Sequence, residues 1–171
     1  ANLYGGAGFP IYKRILKLNP NVNGSYSKYS GFINSVENIT QNTSISGGVE
    51  LELDLDSLNI TIGNNMSYNQ ANSTLYGNTP FTNQRYKARI KWQLPLHFMI
   101  KSDVTYTINS QLSAGYNLNF FIWNAEISKA FLKTENLILS LVGNDILNQN
   151  VIAQRQINGN VITDNRTTII S

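Results

Sequence analysis

Hydrophobic and polar residues alternate with a period of two along most of the chain. The clearest example is residues 49–56, where every second residue is aliphatic and the residues between them are acidic. Successive side chains of a β-strand point to opposite faces, whereas a helix would scatter both sets around its circumference. We therefore predict a strand here whose acidic face carries Glu50, Glu52, Asp54 and Asp56.

The same alternation recurs with basic residues in residues 85–94. Large apolar residues, among them Ile90 and Trp92, occupy every second position. Segments 16–26, 58–68, 98–108 and 121–131 also alternate, with uncharged polar residues on most of their polar faces. Together with the connections between them, described next, these segments predict about eight strands. The basic face would carry Arg85, Lys87, Arg89 and Lys91.

The predicted connections alternate between short and long. Short ones fall near residues 12–14, 56–57, 95–97 and 133–136, and longer polar ones near 31–41, 72–83, 109–117 and after residue 145. The strands would run about 10 to 16 residues, against about 5 or 6 in ordinary globular strands. A tilted membrane-spanning strand needs about 9 to 11. The prediction is therefore an all-β protein with antiparallel, up-and-down strands of a transmembrane β-barrel.

Composition agrees with this prediction and excludes several alternatives. The chain has 171 residues, of which 42% are hydrophobic, 11% aromatic and only 13% charged, and it has no cysteine. No apolar run approaches the roughly 18 residues of a transmembrane helix. The formal charge of +3 is not gathered into one patch, so we expect no nucleic-acid partner. Thiol chemistry is excluded, and we expect a single unit over residues 1–171 with no cofactor or metal.

The two charged faces each allow a functional and a structural interpretation. Carboxylates two residues apart lie about 6.5 to 7 Å apart, which overlaps the spacing of some glycosidases and would also suit a cation. The favoured interpretation is a ladder facing the polar lumen. The basic face could attract an anionic substrate or compensate the acidic ladder. His97 has no nearby triad partner, so no catalytic residue and no enzyme are predicted.

Two motifs carry a resemblance to a known family. Residues 123–129 read W-N-A-E-I-S-K and residues 145–150 read D-I-L-N-Q-N. They resemble the C-terminal end of Bacteroidetes outer-membrane β-barrel proteins of the TonB-dependent receptor type. In that family a loop rich in Asn, Thr and Arg follows, and residues 154–157 and 162–167 are similar to it. The resemblance covers most of the chain.

The resemblance implies a location, a role and partners. The chain would be part of a larger barrel in the bacterial outer membrane, with the plug domain and the closing C-terminal strand outside it. The parent protein would take up a nutrient, with energy supplied through TonB. Expected partners are outer-membrane lipid, the rest of the parent barrel, its plug, TonB acting through the parent protein, and, as a further candidate, a surface lipoprotein. Two alternatives stay open: a small eight-stranded outer-membrane barrel acting as an anchor or adhesion module, and a soluble carbohydrate-binding β-sandwich.

Overall fold

The protein folds almost entirely as β-strands. The computed structural model describes residues 1–110, 119–131 and 137–149 with their side chains, and the backbone of residues 151–158 and 161–168. Among these residues the one helical segment is a single 3₁₀ turn, Pro95–His97. The strands are β1 (Asn2–Gly6), β2 (Phe9–Tyr12), β3 (Leu16–Ile33), β4 (Val36–Asp54), β5 (Leu58–Ser73), β6 (Gly77–Leu94), β7 (Phe98–Ser110), β8 (Asn119–Phe131), β9 (Leu137–Gly143), β10 (Val151–Asn158) and β11 (Val161–Thr168).

Nine strands form one antiparallel sheet in which neighbours in sequence are neighbours in space. The order is β1-β3-β4-β5-β6-β7-β8-β9, and β2 pairs with β3 beside β1. β10 and β11 form a separate two-stranded sheet. The prediction of an all-β, antiparallel, up-and-down fold is confirmed, with nine strands in the main sheet against about eight predicted. In the described part of the chain the sheet is open, since β1 and β9 do not pair with each other.

The strand register sorts side chains as the alternation predicted. One row runs Leu18, Leu51, Ile62, Ala88, Val104 and Trp123 across six strands. The next row on the other face runs Lys17, Glu52, Thr61, Arg89, Asp103 and Asn124. Directly paired residues share a face of the sheet. The sheet therefore has one apolar face and one polar face across β3 to β8.

Burial on these two faces is the reverse of what a water-soluble sheet shows. The described strand residues that are buried all lie on the polar face: Asn38, Thr40, Ala71, Thr107, Asn109 and Ser128. The apolar face is exposed, with Ile62 at 57%, Val22 at 49% and Ile127 at 49% relative accessibility. Large exposed apolar patches mark sites of interaction with another protein or with a membrane.

Two connections predicted as long loops are tight turns. β3 and β4 continue until only Asn34 and Ser35 separate them, and both residues have positive φ, 49° and 67°. Such two-residue turns match the right-handed twist of paired strands. The loops predicted near residues 31–41 and 72–83 are therefore wrong. The Asn, Ser and Thr residues there pair in the sheet instead, in strands of 16 to 19 residues. The predicted connections at 109–117 and 133–136 lie mostly outside the described residues.

A buried asparagine holds the connection between β5 and β6. Asn38 is fully buried, and its Oδ1 accepts hydrogen bonds from Ser73 Oγ at 2.9 Å, Thr74 Oγ1 at 2.8 Å and Leu75 N at 3.3 Å. Its Nδ2 donates to Thr40 Oγ1 at 3.3 Å. Because burial of an unpaired amide is costly, this set of bonds ties the turn at residues 74–76 to β4.

The C-terminal region departs from the expected loop. Residues 154–157 and 162–167 belong to paired strands, β10 and β11, in continuous antiparallel register. The alternation of apolar and polar residues is weak in this part of the sequence. Each of the two strands pairs with the other to form a hairpin. No helix in the described residues is long and apolar enough to cross a membrane.

Candidate functional site on the polar face

The acidic ladder lies on β4, with one exception. Glu50, Glu52 and Asp54 share the polar face at successive even positions. Asp56 was predicted to continue the ladder, and this is wrong, because β4 ends at Asp54. Leu55 and Leu58 exchange backbone hydrogen bonds of 2.9 and 3.3 Å and close a turn around Asp56.

The basic ladder is complete on β6. Arg85, Lys87, Arg89 and Lys91 all fall within that strand and on the polar face. β5 separates the two ladders and contributes only small or uncharged residues between them, Asn59, Thr61, Gly63 and Asn65. Oppositely charged residues of the two ladders are therefore two strands apart, roughly 10 Å between backbones.

The compensating charges come from the outer neighbours of the ladders. Lys17 Nζ on β3 lies 3.8 Å from Glu52 Oε1 and 3.9 Å from Asp54 Oδ2. Arg89 Nε donates to Asp103 Oδ2 on β7 at 2.9 Å. Among the described residues no ion pair joins the acidic ladder to the basic one. The compensation of the acidic ladder by the basic one, which the sequence suggested, is therefore not found among the described residues; Glu52, Asp54 and Arg89 pair instead with residues that the sequence did not single out.

A third ion pair extends the pattern to β8. Lys101 Nζ lies 3.0 Å from Glu126 Oε2, whose side chain is 26% exposed. Ion pairs thus join β3 to β4, β6 to β7 and β7 to β8, and the described polar face of β5 carries no charge. These pairs are mostly exposed, so each is worth less than about 1 kcal/mol after solvent screening.

At one position, two residues of like charge face each other across neighbouring strands. Lys91 on β6 is directly opposite Lys101 on β7. Like charges directly opposite each other destabilise a sheet. Glu126 neutralises Lys101, so Lys91 keeps an ammonium group without an acidic partner within 4.0 Å in the described structure. Together with Arg85 and Lys87 it leaves this strand with an excess of positive charge.

A shallow hollow lies between the two ladders. Gly63 separates Glu50 from Lys87 in the same row, and a Cβ added there would meet only atoms of Val49 and Glu50 at 3.6 Å or more. Arg85, Asn21 and Asn65 line the rest of the hollow. The site offers one carboxylate, two cations and two amides to the polar space.

Gly48 allows side chains from β3 and β5 to meet across β4. A Cβ at this position would lie 2.7 Å from Asn64 O and 2.8 Å from Asn65 Nδ2. In its absence the amides of Asn65 and Asn21 approach to 3.5 Å above the strand. The requirement for glycine here comes from that close approach and was not recognised from the sequence.

Two carboxylates of the acidic ladder form ion pairs that link neighbouring strands. Glu52 and Asp54, the i and i+2 pair, share one ammonium group, that of Lys17. In the part of the chain that the structure describes, no group of three or more His, Cys, Asp or Glu residues is arranged to hold a metal ion. His97 lies in the 3₁₀ turn between β6 and β7, at the short connection predicted there.

The two motifs that carried the family resemblance contact each other. Ile146 N donates to Trp123 O at 2.9 Å, and Asp145 N donates to Asn124 Oδ1 at 2.8 Å. Asp145 is 6% exposed, and its Oδ1 accepts a hydrogen bond from Gln149 N at 3.0 Å. The motif at residues 145–150 therefore includes a turn after β9 that is hydrogen-bonded to β8.

Comparison with known proteins adds no relative. The chain matches no protein-family model, and no curated protein or solved structure is found to be similar to it. The fold and the charged face therefore define the molecule as an antiparallel, up-and-down all-β protein with one apolar and one polar face. The sequence did not single out four residues that form ion pairs on the polar face, because their partners follow only from strand register. They are Lys17, Lys101, Asp103 and Glu126.

Proposed function

We propose that this chain forms part of the wall of an outer-membrane β-barrel, with its apolar face against lipid and its charged face toward the lumen. One observation carries the proposal: apolar side chains are exposed on one face of the sheet while polar side chains are buried on the other. In a bilayer the apolar face meets hydrocarbon, and the polar face meets water or other protein inside the barrel.

The height of the apolar face supports a membrane span. On β3 no polar side chain interrupts this face from Leu16 to Tyr26, and the next residue in phase is Lys28. At about 3.4 Å per residue these ten or so steps extend about 34 Å. A tilt of about 45° reduces this to roughly 24 Å of height, close to the ~25 Å apolar band of outer-membrane barrels.

The aromatic residues fit the two boundaries of that band. Phe9, Tyr12 and Phe131 lie on the apolar face near the short turns, and Tyr26 and Tyr68 lie on it toward the opposite end. Aromatic girdles at both interfaces are typical of these barrels. Tyr29 does not belong with them, because it pairs with Thr40 and lies on the polar face.

The open sheet supports membership of a larger barrel over a small closed one. Within the described residues, β1 and β9 have no strand on their outer sides in the main sheet. A barrel wall needs all its edges paired. The edges would be completed by other strands of the parent protein. A soluble sandwich is less favoured, because it would bury its apolar face against a second sheet, and the described apolar face is exposed.

We further propose that the parent protein is a receptor of the TonB-dependent type that takes up a nutrient across the bacterial outer membrane. This proposal is supported by the W-N-A-E-I-S-K and D-I-L-N-Q-N motifs and by their mutual contacts through Trp123, Asn124, Asp145 and Ile146. In this proposal the plug, TonB and any surface lipoprotein act through the parent protein. The charged face lines the route of the solute and has no enzymatic role.

Single-cysteine labelling tests the membrane assignment. The chain has no cysteine, so Ile62→Cys and Thr61→Cys place single thiols at the same height on opposite faces. In intact outer membranes a water-soluble maleimide should label Thr61→Cys and leave Ile62→Cys unreacted until detergent is added. Equal labelling of the two variants before detergent would contradict the proposal.

A second experiment addresses energy coupling separately. Cells that express the full parent protein should take up its solute only when TonB is intact. If uptake were the same without TonB, the chain would belong to a passive barrel, and only the wall assignment would remain.

A further inference from the structure

Lys129 is a charged residue on the wrong face of the sheet. It lies on β8 opposite Phe98 of β7 and Leu139 of β9, in the apolar row. On the described apolar faces of β5 to β8 it is the single charged side chain. An ammonium group in this position needs compensation, because charge within an apolar surface is costly to desolvate.

Two aromatic rings hold the ammonium group. Lys129 Nζ lies 4.6 Å from the ring centroid of Phe98 and 5.0 Å from that of Phe131. Both distances are within the range of cation–π attraction. The rings attract the cation without neutralising it. In the described residues no carboxylate lies within 4.0 Å of Lys129, since the nearby Glu126 faces the other way and bonds Lys101.

The position of Lys129 along the strand is also informative. β8 ends two residues later at Phe131, and Phe98 directly follows the turn Pro95–His97. Lys129 therefore lies at the short-turn boundary of the apolar face, with Ile127 and Leu139 exposed on either side. In a bilayer this boundary coincides with the layer of lipid headgroups, where long basic side chains place their charge.

We infer that Lys129, with Phe98 and Phe131, forms a docking site for the phosphate of a phospholipid headgroup in the leaflet at the short-turn side. This inference rests on the proposed membrane-wall function. The phosphate supplies a negative charge that the described residues do not place within 4.0 Å of Lys129. The acyl chains of the same lipid would cover the exposed apolar side chains of Ile127 and Leu141.

Tryptophan fluorescence gives a direct measurement. Both tryptophans lie on the apolar face. Trp92 lies two strands away from Lys129 and two residues away along the strand direction, about 12 Å by strand spacing. In a Trp123→Phe background, the full parent protein, with its other tryptophans replaced, is folded into phosphatidylcholine vesicles that contain a minor fraction of brominated lipid. We expect brominated phosphatidylglycerol to be enriched about fivefold over brominated phosphatidylcholine near Trp92, as one basic residue near anionic lipid predicts.

Three variants identify the source of that preference. Lys129→Gln should abolish it and Lys129→Arg should keep it. Lys28→Gln, which removes the lysine beyond the opposite end of the apolar face, should leave it unchanged. No preference for phosphatidylglycerol in the unmodified protein, or an unchanged preference in Lys129→Gln, would overturn the inference.

Three further outcomes distinguish a lipid site from a site for free phosphate and from a failure of the membrane assignment. Inorganic phosphate that removes the preference, where chloride of equal ionic strength does not, would show a site for free phosphate and overturn the lipid assignment. If neither brominated lipid quenches Trp92, the apolar face is not in the bilayer, and the proposed function itself fails. Quenching by both lipids equally would leave the membrane assignment intact and contradict the lipid site alone.

Discussion

The two faces of the sheet differ in what holds their side chains in place. On the polar face, the Asn38 side chain forms hydrogen bonds with Thr40, Ser73, Thr74 and Leu75. Arg89 pairs with Asp103 at 2.9 Å. On the apolar face, side chains such as Ile62 are more than half exposed, and no described residue covers them. The polar face is thus satisfied largely within the chain, whereas the apolar face depends on its surroundings.

This difference reverses the usual source of stability. A soluble domain derives most of its stability from apolar burial inside the protein. Here, among the described residues, one apolar side chain is buried, that of Ala71 at 2% exposure. Under the proposed function, stability comes from backbone hydrogen bonds between strands and from contact of the apolar face with lipid.

The largest effect is expected from a charge in the middle of the apolar face. Ile62→Arg should destabilise the protein folded in phospholipid vesicles by about 2–4 kcal/mol, because an arginine near the bilayer midplane is poorly solvated. Thr61→Arg, one residue away on the polar face, should change stability by well under half of that. Urea unfolding monitored by tryptophan fluorescence measures both. Similar losses in the two variants would remove the distinction between the faces.

A smaller loss is expected from the buried amide. Asn38→Ala removes the acceptor for Ser73, Thr74 and Leu75, and we expect a loss of about 2 kcal/mol, since buried donors without partners cost about 1–3 kcal/mol. Hydrogen exchange should increase first in the turn at residues 74–76.

Asn42→Ala is the matched control for that variant. Asn42 lies on the same strand and face, but its Oδ1 has no hydrogen-bond partner in the described structure. We expect it to lose less than about 1 kcal/mol, because no hydrogen bond to that oxygen is broken. A loss as large as that of Asn38→Ala would mean that burial in general, and not the bonds to the turn, sets the cost.

The ion pair between Arg89 and Asp103 should contribute little. Its side chains are 53% and 40% exposed, so a double-mutant cycle with Arg89→Gln and Asp103→Asn should give a coupling energy below about 1 kcal/mol. The coupling should fall further in high salt. A salt-independent coupling well above this value would indicate that the face is shielded from water in the folded protein.

The smallest effect has the opposite sign. Lys91→Gln removes the repulsion between Lys91 and Lys101, which lie directly opposite each other. We expect a gain of about 0.2–0.5 kcal/mol, within the range measured for cross-strand pairs. Lys87→Gln, opposite the uncharged Thr105, is the control and should show no gain. Destabilisation by Lys91→Gln would mean that Lys91 has an attractive partner.

Much of the strand architecture could be predicted from local pattern. The alternation in residues 49–54 and 85–94 determined which side chains share a face, because the side-chain period of a strand is two. The predicted loops near residues 31–41 and 72–83 were wrong for a related reason. Strands rich in Asn, Ser and Thr carry little contrast between faces, so sequence alone did not reveal that they remain paired up to the turns.

The sequence predicted which charged residues lie on the polar face, but not which residues form ion pairs with them. Seven of the eight predicted charged residues lie on the polar faces of β4 and β6, and Asp56 lies in a turn. Lys17 and Asp103 became their partners because antiparallel register places them opposite Glu52 and Arg89. Strand order matters equally, since β5 lies between the two ladders.

The sequence by itself therefore determined the all-β class, the up-and-down order and the membership of the two faces, because these depend on residues close together in the chain. Tertiary structure alone decided the ion pairs, the contact between Asp145 and Asn124, the close approach over Gly48 and the position of Lys129 between two rings. Each of these brings together residues that are far apart in the sequence. Their distances depend on register, which one residue of slippage would change for every pair at once.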